Sequence, residues 1–455
     1  MCALHAVTLP EGHDYDSAML MSGEPLRRDA SASAANWQDP PFNQWSFWHV
    51  RELLPTHLVS RGEGQVRALP DHTSEHDVLC VEVTRVDGSR DTVADVLADT
   101  FTDAYAVLHD GVLVAEDYQP TGGPQQTHAV MSITKSVVGC VAGILADRGL
   151  LEPTRDVVDY VPELAASGYA GATVQHLLDM RSGVRFREEY TNPEAEVRQL
   201  DRWIAAGPPR PGERARGLYP FLEELRAEAP HGSRFLYRSA ETDVLGWVCE
   251  RAGDARMADL ISALVWAPMG AERGAEILCD GLGTAVHDGG LAVTARDLLR
   301  FGQMLLDGGV VPGEDGGSVP VVPSKWLRQA WAVDSEGRTN FLGSPAEVSF
   351  PGGWYRSQFW FRPGEHGDVL LCLGIHGQML HVSRRTGTVC VKFSSWPDAS
   401  NPSFMQDTLR AFDAVGGAML NRVSRGETSP LPGVVSGLSR GGRGGSRRGP
   451  GSPLA

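Results

Sequence analysis

Residues 131–149 have the sequence MSITKSVVGCVAGILADRG, and no other stretch says as much about the fold. The apolar residues of this stretch recur at the spacing of one helix face: Val137, Val138, Val141, Ile144 and Leu145. Gly149 suits the position that follows a helix end. The pattern predicts a helix from Met131 to Arg148 with an apolar face.

The first turn of this helix carries the pattern Ser132-x-x-Lys135. The chain has only three lysines, and only Lys135 follows a serine by three positions. At a helix start, free N–H groups and the dipole favour an anion that develops on the serine, and a lysine one turn later can reach it. Desolvation would lower the pKa of an inward-pointing lysine and make it an acceptor for the serine proton. The alternative is an N-cap serine beside a lysine that extends to the surface.

Two further segments would fit a site around this pair. Tyr237-Arg238-Ser239 ends the strand-like residues 235–239, and a tyrosine near Lys135 could pass a proton to a leaving group. Gly374-Ile375-His376-Gly377-Gln378 is predicted on a late strand, where a glycine lets substrate approach the backbone. The Gln378 N–H would join the Ser132 N–H in an oxyanion hole. Taken alone, each segment has a simpler explanation: Tyr237 could be a half-buried core tyrosine, and residues 374–378 could be a simple turn.

Together the motifs resemble the serine β-lactamase and esterase superfamily from about Ala104 to Leu420. Residues 175–183 and 288–298 are similar to two further segments of that superfamily. The resemblance implies a Ser132 nucleophile whose proton passes to Lys135. It also implies site roles for residues on the other two segments: Tyr237, Ser239, His376, Gly377 and Gln378.

Within that superfamily, residues 179–190 are most similar to the 6-aminohexanoate-dimer hydrolases. This likeness implies that Tyr190 bonds the amide nitrogen of a substrate. It also implies that Asp201 helps to hold the amino end of that substrate. The N-terminal extension and the Arg/Gly-rich tail depart from the family pattern.

The order of the predicted elements indicates the α+β fold class. Asp110-Gly111 predicts a hairpin, and residues from about 151 to 306 are mainly helical. Strands return at 357–361, 369–375, 379–382 and 388–393, and a helix follows near 406–420. We expect an antiparallel sheet flanked by helices, plus a mainly helical lobe inserted between the sheet segments, as in serine β-lactamases and DD-peptidases.

The same pattern predicts three parts of the chain. Residues 1–103 form an N-terminal extension that wraps the body, and residues 104–423 form the hydrolase domain. Residues 424–455 are rich in Gly, Ser, Arg and Pro, so we expect them to be disordered. The pattern G-x-S-x-G at 437–441 lies in this tail, without the strand and helix that a nucleophile elbow requires.

Composition excludes several classes of function. The net charge of −16 argues against a nucleic-acid-binding body, and no apolar run reaches the ~18 residues of a membrane span. The first ten residues lack a secretory pattern, so we expect a cytoplasmic enzyme. The seven scattered cysteines predict buried free thiols. The 14 histidines show no metal-binding spacing, and we expect neither a metal nor a cofactor.

We therefore expect a serine hydrolase that cleaves a small-molecule linear amide or carboxylic ester through a Ser132 acyl-enzyme. The chain could form a homodimer. A β-lactamase or D-Ala peptidase is an alternative, weakened because Ile375-His376-Gly377 lacks the lysine of the superfamily's K-T-G. A non-catalytic binding protein on the same fold is another, weakened because Ser132, Lys135 and Tyr237 are all present.

Overall fold

The structure is a computed structural model that describes residues 31–73, 77–313 and 315–424. In chain order the strands of these residues are β1 (Thr56–Val59), β2 (Glu82–Thr84), β3 (Arg90–Thr92), β4 (Thr102–His109), β5 (Val112–Tyr118), β6 (His128–Ala129), β7 (Ala275–Leu278), β8 (Leu291–Val293), β9 (Val310–Pro312), β10 (Ser318–Pro320), β11 (Trp354–Arg356), β12 (Phe359–Gly364), β13 (Gly367–Gly374), β14 (Gln378–Ser383) and β15 (Thr388–Ser394).

The α-helices of the same residues are α1 (Asn43–Ser46), α2 (Val50–Leu53), α3 (Val93–Asp99), α4 (Ile133–Asp147), α5 (Val174–Leu178), α6 (Glu196–Trp203), α7 (Leu218–Glu224), α8 (Ser239–Gly253), α9 (Met257–Ile261), α10 (Ala295–Leu306), α11 (Ser324–Trp331), α12 (Ser335–Phe341), α13 (Pro345–Ser349) and α14 (Pro402–Ser424). Within the described residues, no helix is both long and apolar enough to cross a membrane.

A seven-stranded sheet forms the centre of the molecule, in the order β11-β12-β13-β14-β15-β4-β5. All of its neighbouring strands are antiparallel. The hairpin between β4 and β5 is confirmed, and Asp110 and Gly111 have φ of 48° and 80°, as a type I′ turn requires. Because β15 pairs with β4, the first hairpin and the late strands share one sheet, as predicted.

Helices cover both faces of this sheet. Side chains alternate along β4, so that Ala104 and Ala106 join the core that contains α4 and α10. Tyr105 and Val107 point the other way and join the core that contains α14. Strands buried on both faces are apolar at nearly every position, which explains their weak alternation in the sequence.

Helix α4 lies between the sheet and α8. Every residue from Ile133 to Leu145 is buried. Helix α4 is therefore enclosed on all sides, and not only on the apolar face that the spacing predicts. A Cβ on Gly139 would lie 2.7 Å from the Ser357 carbonyl oxygen, so this glycine lets α4 pack closely on the β11–β12 turn. The start of α4 is therefore held rigidly beside the sheet.

A second sheet connects the early residues to the middle of the chain, in the order β1-β7-β8-β6. β1 pairs antiparallel with β7, and Thr56 lies opposite Leu278. Trp37, Phe47 and Trp48 are buried in the main core. The described residues before position 103 thus pack into the body, while the proposed domain boundaries stay predictions, and the tail at 425–455 lies outside the described residues.

The lobe at about 151–306 has mainly helices as its regular structure, as predicted, and it also contains the short strands β7 and β8. Two local predictions were wrong. Residues 235–238 form no strand, since their backbone bonds loop atoms such as the Met180 carbonyl oxygen. The strand expected from Ser357 begins with a turn, in which Ser357 and Gln358 have φ of 52° and 69°.

The cysteines only partly follow the prediction of free thiols. Cys80 is disulfide-bonded, which corrects that expectation. The buried free thiols are Cys140, Cys249, Cys279, Cys372 and Cys390.

Lys392 is a fully buried amine on β15. Its Nζ donates to the Thr100 carbonyl oxygen at 2.9 Å and to the Ser394 hydroxyl. Burial lowers the pKa of Lys392 from 10.5 to about 7, against the opposing charge of Asp103. Between these two values the unfolded chain binds more protons than the folded chain, so this group makes stability rise with pH.

Lys392→Met should remove that contribution. From pH 7 to 9, the free energy of unfolding of the wild type should rise, relative to that of the variant, by up to ~1.4 kcal/mol per pH unit. Chemical denaturation of both proteins at several pH values measures the difference. Lys325→Met, at an exposed position of α11, is the matched control. A wild-type-to-variant difference that stays constant with pH would contradict the lowered pKa.

Candidate active site

Ser132 immediately precedes α4 and faces Lys135. Its side chain makes no capping hydrogen bond, and its Oγ lies 2.9 Å from the Lys135 Nζ. The preceding Met131 has φ of 48°, a left-handed conformation that is rare for a residue with a Cβ. Because Lys135 is only 1% exposed, the alternative of a capping serine beside a surface lysine is wrong.

The Lys135 side chain ends at the centre of the site. Its Nζ donates to the Ser132 Oγ at 2.9 Å, the Ser239 Oγ at 3.0 Å and the Asp288 carbonyl oxygen at 2.7 Å. The Asp288 carboxylate is a further 3.6 Å neighbour. These three acceptors come from three different parts of the chain.

The electrostatics at Lys135 differ from the expectation. Burial lowers the pKa of Lys135, but nearby negative charge outweighs it and the net shift is upward. The groups that raise the pKa are Tyr237, Asp288, Glu188 and Asp243. The direction of this shift is opposite to the predicted one, because distant positions in the sequence supply acidic groups to this site.

Tyr237 lies beside the Ser132–Lys135 pair. Its ring stacks on Trp360 at 5.2 Å, and the Lys135 Nζ lies 5.3 Å from the ring centroid. Burial raises the pKa of Tyr237, whereas the Lys135 charge and hydrogen bonds with Ser132 and Lys135 lower it; the net shift is upward. The charged forms of Tyr237 and Lys135 favour each other, so the two groups titrate as a coupled pair.

Tyr190 is connected to this cluster through Glu188. The Glu188 carboxylate accepts the Ser239 backbone N–H and the Tyr190 hydroxyl, each at 2.5 Å. The Arg198 Nε donates to the Tyr190 carbonyl oxygen at 2.6 Å. The structure thus brings Tyr190 and Ser239 to the Lys135 site, where the sequence placed them.

Asp201 lies on α6 at the edge of the same group. The Arg198 Nη1 donates to its Oδ2 at 2.9 Å. Burial raises the pKa of Asp201 to about 6, opposed by Arg198 and reinforced by the charges of Asp288 and Glu188. Asp201 therefore shares the electrostatic environment of the site, and its contact with a substrate stays a prediction.

Sequence reasoning missed two acidic residues that position Lys135. The buried Asp243 Oδ1 accepts the backbone N–H groups of His287 and Asp288 at 3.0 and 3.1 Å, which holds the Asp288 carbonyl oxygen against Lys135. Burial and the Asp288 charge raise the pKa of Asp243. The sequence could have pointed to both residues. Asp243 lies one helix turn after Ser239, and Asp288 is the first residue of the segment 288–298.

Among the described residues, no group of three or more His, Cys, Asp or Glu side chains is arranged to hold a metal ion. Of the carboxylates near the site, that of Asp288 lies 3.6 Å from the Lys135 Nζ, whereas those of Glu188 and Asp243 accept backbone N–H groups.

The three predicted strand residues contact the segment 394–396. The His376 Nδ1 bonds the Trp396 carbonyl oxygen at 2.8 Å, and the Gln378 side chain donates to the Ser394 carbonyl oxygen at 2.6 Å. A Cβ on Gly377 would lie 2.3 Å from the Trp396 ring. Burial lowers the pKa of His376 to about 4, so this ring is neutral. Contact of these residues with a substrate stays a prediction.

Gly374, at the end of β13, is the glycine that meets the residues before Ser132. A Cβ there would lie 2.5 Å from the Val130 carbonyl oxygen and 2.9 Å from the Met131 Cβ. Of the two glycines in this segment, Gly374 therefore lies against the residues before Ser132, whereas Gly377 lies against Trp396.

Comparison with known proteins adds to this geometry. The family model described as Beta-lactamase matches residues 90–399. The 6-aminohexanoate-dimer hydrolase of Paenarthrobacter ureafaciens is 38% identical over 390 residues, which cover 84% of this chain and 94% of that protein.

Solved structures show the same likeness. A Bacillus anthracis protein that carries the name 6-aminohexanoate-dimer hydrolase matches with a TM-score of 0.74 and 26% identity, over 87% of this chain and 97% of that one. A family VIII carboxylesterase, 17% identical with a TM-score of 0.51 over 71% of this chain and 96% of that one, shares the fold.

The matched residues include the Ser132–Lys135 pair and Tyr237, and they span more than half of the chain. The Paenarthrobacter relative extends the likeness over most of both proteins. The chain therefore belongs to the β-lactamase family and is a serine hydrolase of that fold.

Proposed function

We propose that this protein cleaves a linear amide of the 6-aminohexanoate-oligomer type, or a carboxylic ester, through an acyl-enzyme on Ser132. The observation that carries the proposal is the 2.9 Å contact between the Lys135 Nζ and the Ser132 Oγ, with Lys135 almost fully shielded from solvent. The name of the 38% identical relative supports the amide class.

In the proposed acylation, the Ser132 oxygen attacks the substrate carbonyl carbon and its proton passes to the Lys135–Tyr237 pair. Because Lys135 is protonated at rest, the pair must first release a proton, and this form becomes more populated as pH rises. Tyr237 lies beside Lys135, so its hydroxyl can then protonate the leaving nitrogen or oxygen as the bond to the carbonyl carbon breaks. A water molecule, activated by the same groups, hydrolyses the acyl ester and restores Ser132.

Backbone donors complete the proposed site. The Ser132 N–H at the start of α4 is one donor to the oxyanion. The Gln378 N–H is one candidate for the second. The contact of Gly374 with Val130 and Met131 favours the N–H of Ile375 as another.

The charges favour a substrate with a cationic end over a carboxylate-bearing β-lactam. The charges of Glu188 and Asp288 raise the pKa of Lys135 and also that of Asp201. Of the two remaining lysines, Lys325 is exposed on α11 and Lys392 is buried against Thr100. A β-lactam carboxylate would therefore meet an acidic site without the lysine that usually binds it.

Ser132→Ala should abolish cleavage of both p-nitrophenyl esters and an aminohexanoate dimer. The free energy of unfolding should change by less than ~1 kcal/mol, since this hydroxyl caps no backbone group. Mass spectrometry after fluorophosphonate labelling should locate the adduct on Ser132. Ser136→Ala is the control on the same helix, because its hydroxyl bonds the Gln358 carbonyl oxygen and should leave labelling intact. An adduct on any other residue would contradict the assignment.

Lys135→Arg should lower kcat/KM for an ester by at least ~100-fold, because arginine keeps its proton. In the wild type, the upward-shifted pKa of Lys135 predicts that kcat/KM rises from pH 7 to 9, by up to ~10-fold per pH unit. The variant should lose this rise, whereas Lys325→Arg should retain it. An active Lys135→Arg enzyme would exclude Lys135 as the proton acceptor.

Tyr190→Phe should separate amide from ester chemistry. An amide nitrogen must be oriented and protonated before it leaves, whereas an ester oxygen leaves with less help. Cleavage of an aminohexanoate dimer should therefore fall at least ~10-fold more than cleavage of a p-nitrophenyl ester. Tyr160→Phe, whose hydroxyl contacts Glu152 away from this cluster, is the matched control. No loss on either substrate would favour a plain esterase, and nitrocefin turnover in the wild type would favour a β-lactamase.

A further inference from the structure

Glu188 joins the surroundings of the nucleophile to the tyrosine expected at the leaving group. Its two carboxylate oxygens accept different donors: Oε1 accepts the Ser239 backbone N–H, and Oε2 accepts the Tyr190 hydroxyl, each at 2.5 Å. Ser239 is the first residue of α8 and also accepts a hydrogen bond from Lys135. One carboxylate is therefore held at both oxygens between a helix start and Tyr190.

This contact fixes the direction of the Tyr190 hydroxyl proton. A phenol carries one proton, and an ionised carboxylate only accepts hydrogen bonds. The Tyr190 proton therefore points at Glu188. The Tyr190 oxygen can then only accept a hydrogen bond from a further partner. Burial, together with the Glu188 charge and hydrogen bond, raises the pKa of Tyr190, which keeps the phenol protonated.

The remainder of Tyr190 is also held in place. The Arg198 Nε bonds its carbonyl oxygen at 2.6 Å, and the guanidinium lies 5.6 Å from the ring centroid. Arg198 is itself bonded to Asp201 at 2.9 Å. Backbone and ring are thus both restrained, which keeps the Tyr190 oxygen beside Glu188, and the hydrogen bond to Glu188 Oε2 holds the hydroxyl proton.

We propose that Glu188 is a positioning residue that makes the Tyr190 oxygen a hydrogen-bond acceptor, so that the site selects secondary amides over esters of the same shape. The inference rests on the proposed function in one respect, that Tyr190 contacts the scissile group. A secondary amide offers an N–H to the Tyr190 oxygen, whereas an ester presents only lone pairs to it.

Ligand binding to an inactive enzyme tests this selection without turnover. The protein is the full-length Ser132→Ala variant. The two ligands are the aminohexanoate dimer and its ester isostere, in which an oxygen replaces the scissile N–H. Calorimetric titration should show roughly tenfold tighter binding of the amide, which corresponds to ~1.4 kcal/mol.

Adding Glu188→Gln should reverse the polarity of the contact. The glutamine oxygen must still accept the Ser239 N–H, so its NH2 group faces Tyr190 and donates to the phenol oxygen. The Tyr190 proton is then released toward the ligand, and the preference for the amide should fall to about onefold or invert. The melting temperature should fall only modestly, because one negative charge near Lys135 is lost while the Ser239 contact persists.

Two controls distinguish positioning from a general effect on folding. Glu189→Gln, at the exposed neighbouring position, should keep the amide preference. In a Tyr190→Phe background, Glu188→Gln should cause no further change in the preference, because it acts through the Tyr190 hydroxyl.

The outcomes separate this inference from the proposed function. An equal loss of affinity for both ligands in the Glu188→Gln variant would overturn the inference, as would the lack of any amide preference in its parent. If the Ser132→Ala variant binds neither ligand, it shows no amide preference, and the inference is overturned in the same way. If the preference follows Glu188 but the wild type does not cleave the dimer, only the proposed amide function fails.

Discussion

A lysine ammonium that is buried needs partners for its charge, and that of Lys135 determines how the surrounding elements meet. Its three acceptors lie at the start of α4, at the start of α8 and just before β8. All three are within reach only when α8 packs on α4 and Asp243 holds the backbone at Asp288. Ser132 is therefore positioned by the same contacts that satisfy the lysine.

Acidic residues near the two helix starts offset an unfavourable interaction between the Lys135 charge and the dipole of α4. Lys135 lies in the first turn of α4, where the helix dipole disfavours a cation. Glu188 compensates from the start of α8, where a carboxylate is favoured, and the Asp288 carboxylate lies 3.6 Å from the Lys135 Nζ. Lys135 is thus surrounded by acidic groups that raise its pKa.

Local patterns in the sequence account for the Ser132–Lys135 pair and for much of the sheet. Ser132, Lys135 and the Asp110-Gly111 turn were predictable because helix spacing and turn preferences act over a few residues. The upward pKa shift of Lys135 was not, because Asp288 is 153 residues away in the chain and its position depends on packing. The same applies to Gly374 and Gly377, since only the strand register shows which of them meets Met131.

The pairing of β1 with β7 has a consequence for how the chain folds during synthesis. Thr56 lies opposite Leu278, so β1 leaves the ribosome about 220 residues before its partner. At ~5–20 residues per second, that wait lasts roughly 10 to 45 s. Such long-range pairing raises the contact order and slows folding. Until β7 is made, β1 has unpaired backbone N–H and C=O groups that can pair with another chain. Until β7 emerges, the apolar side chains of β1 stay uncovered, including that of Val59, which the folded protein buries completely.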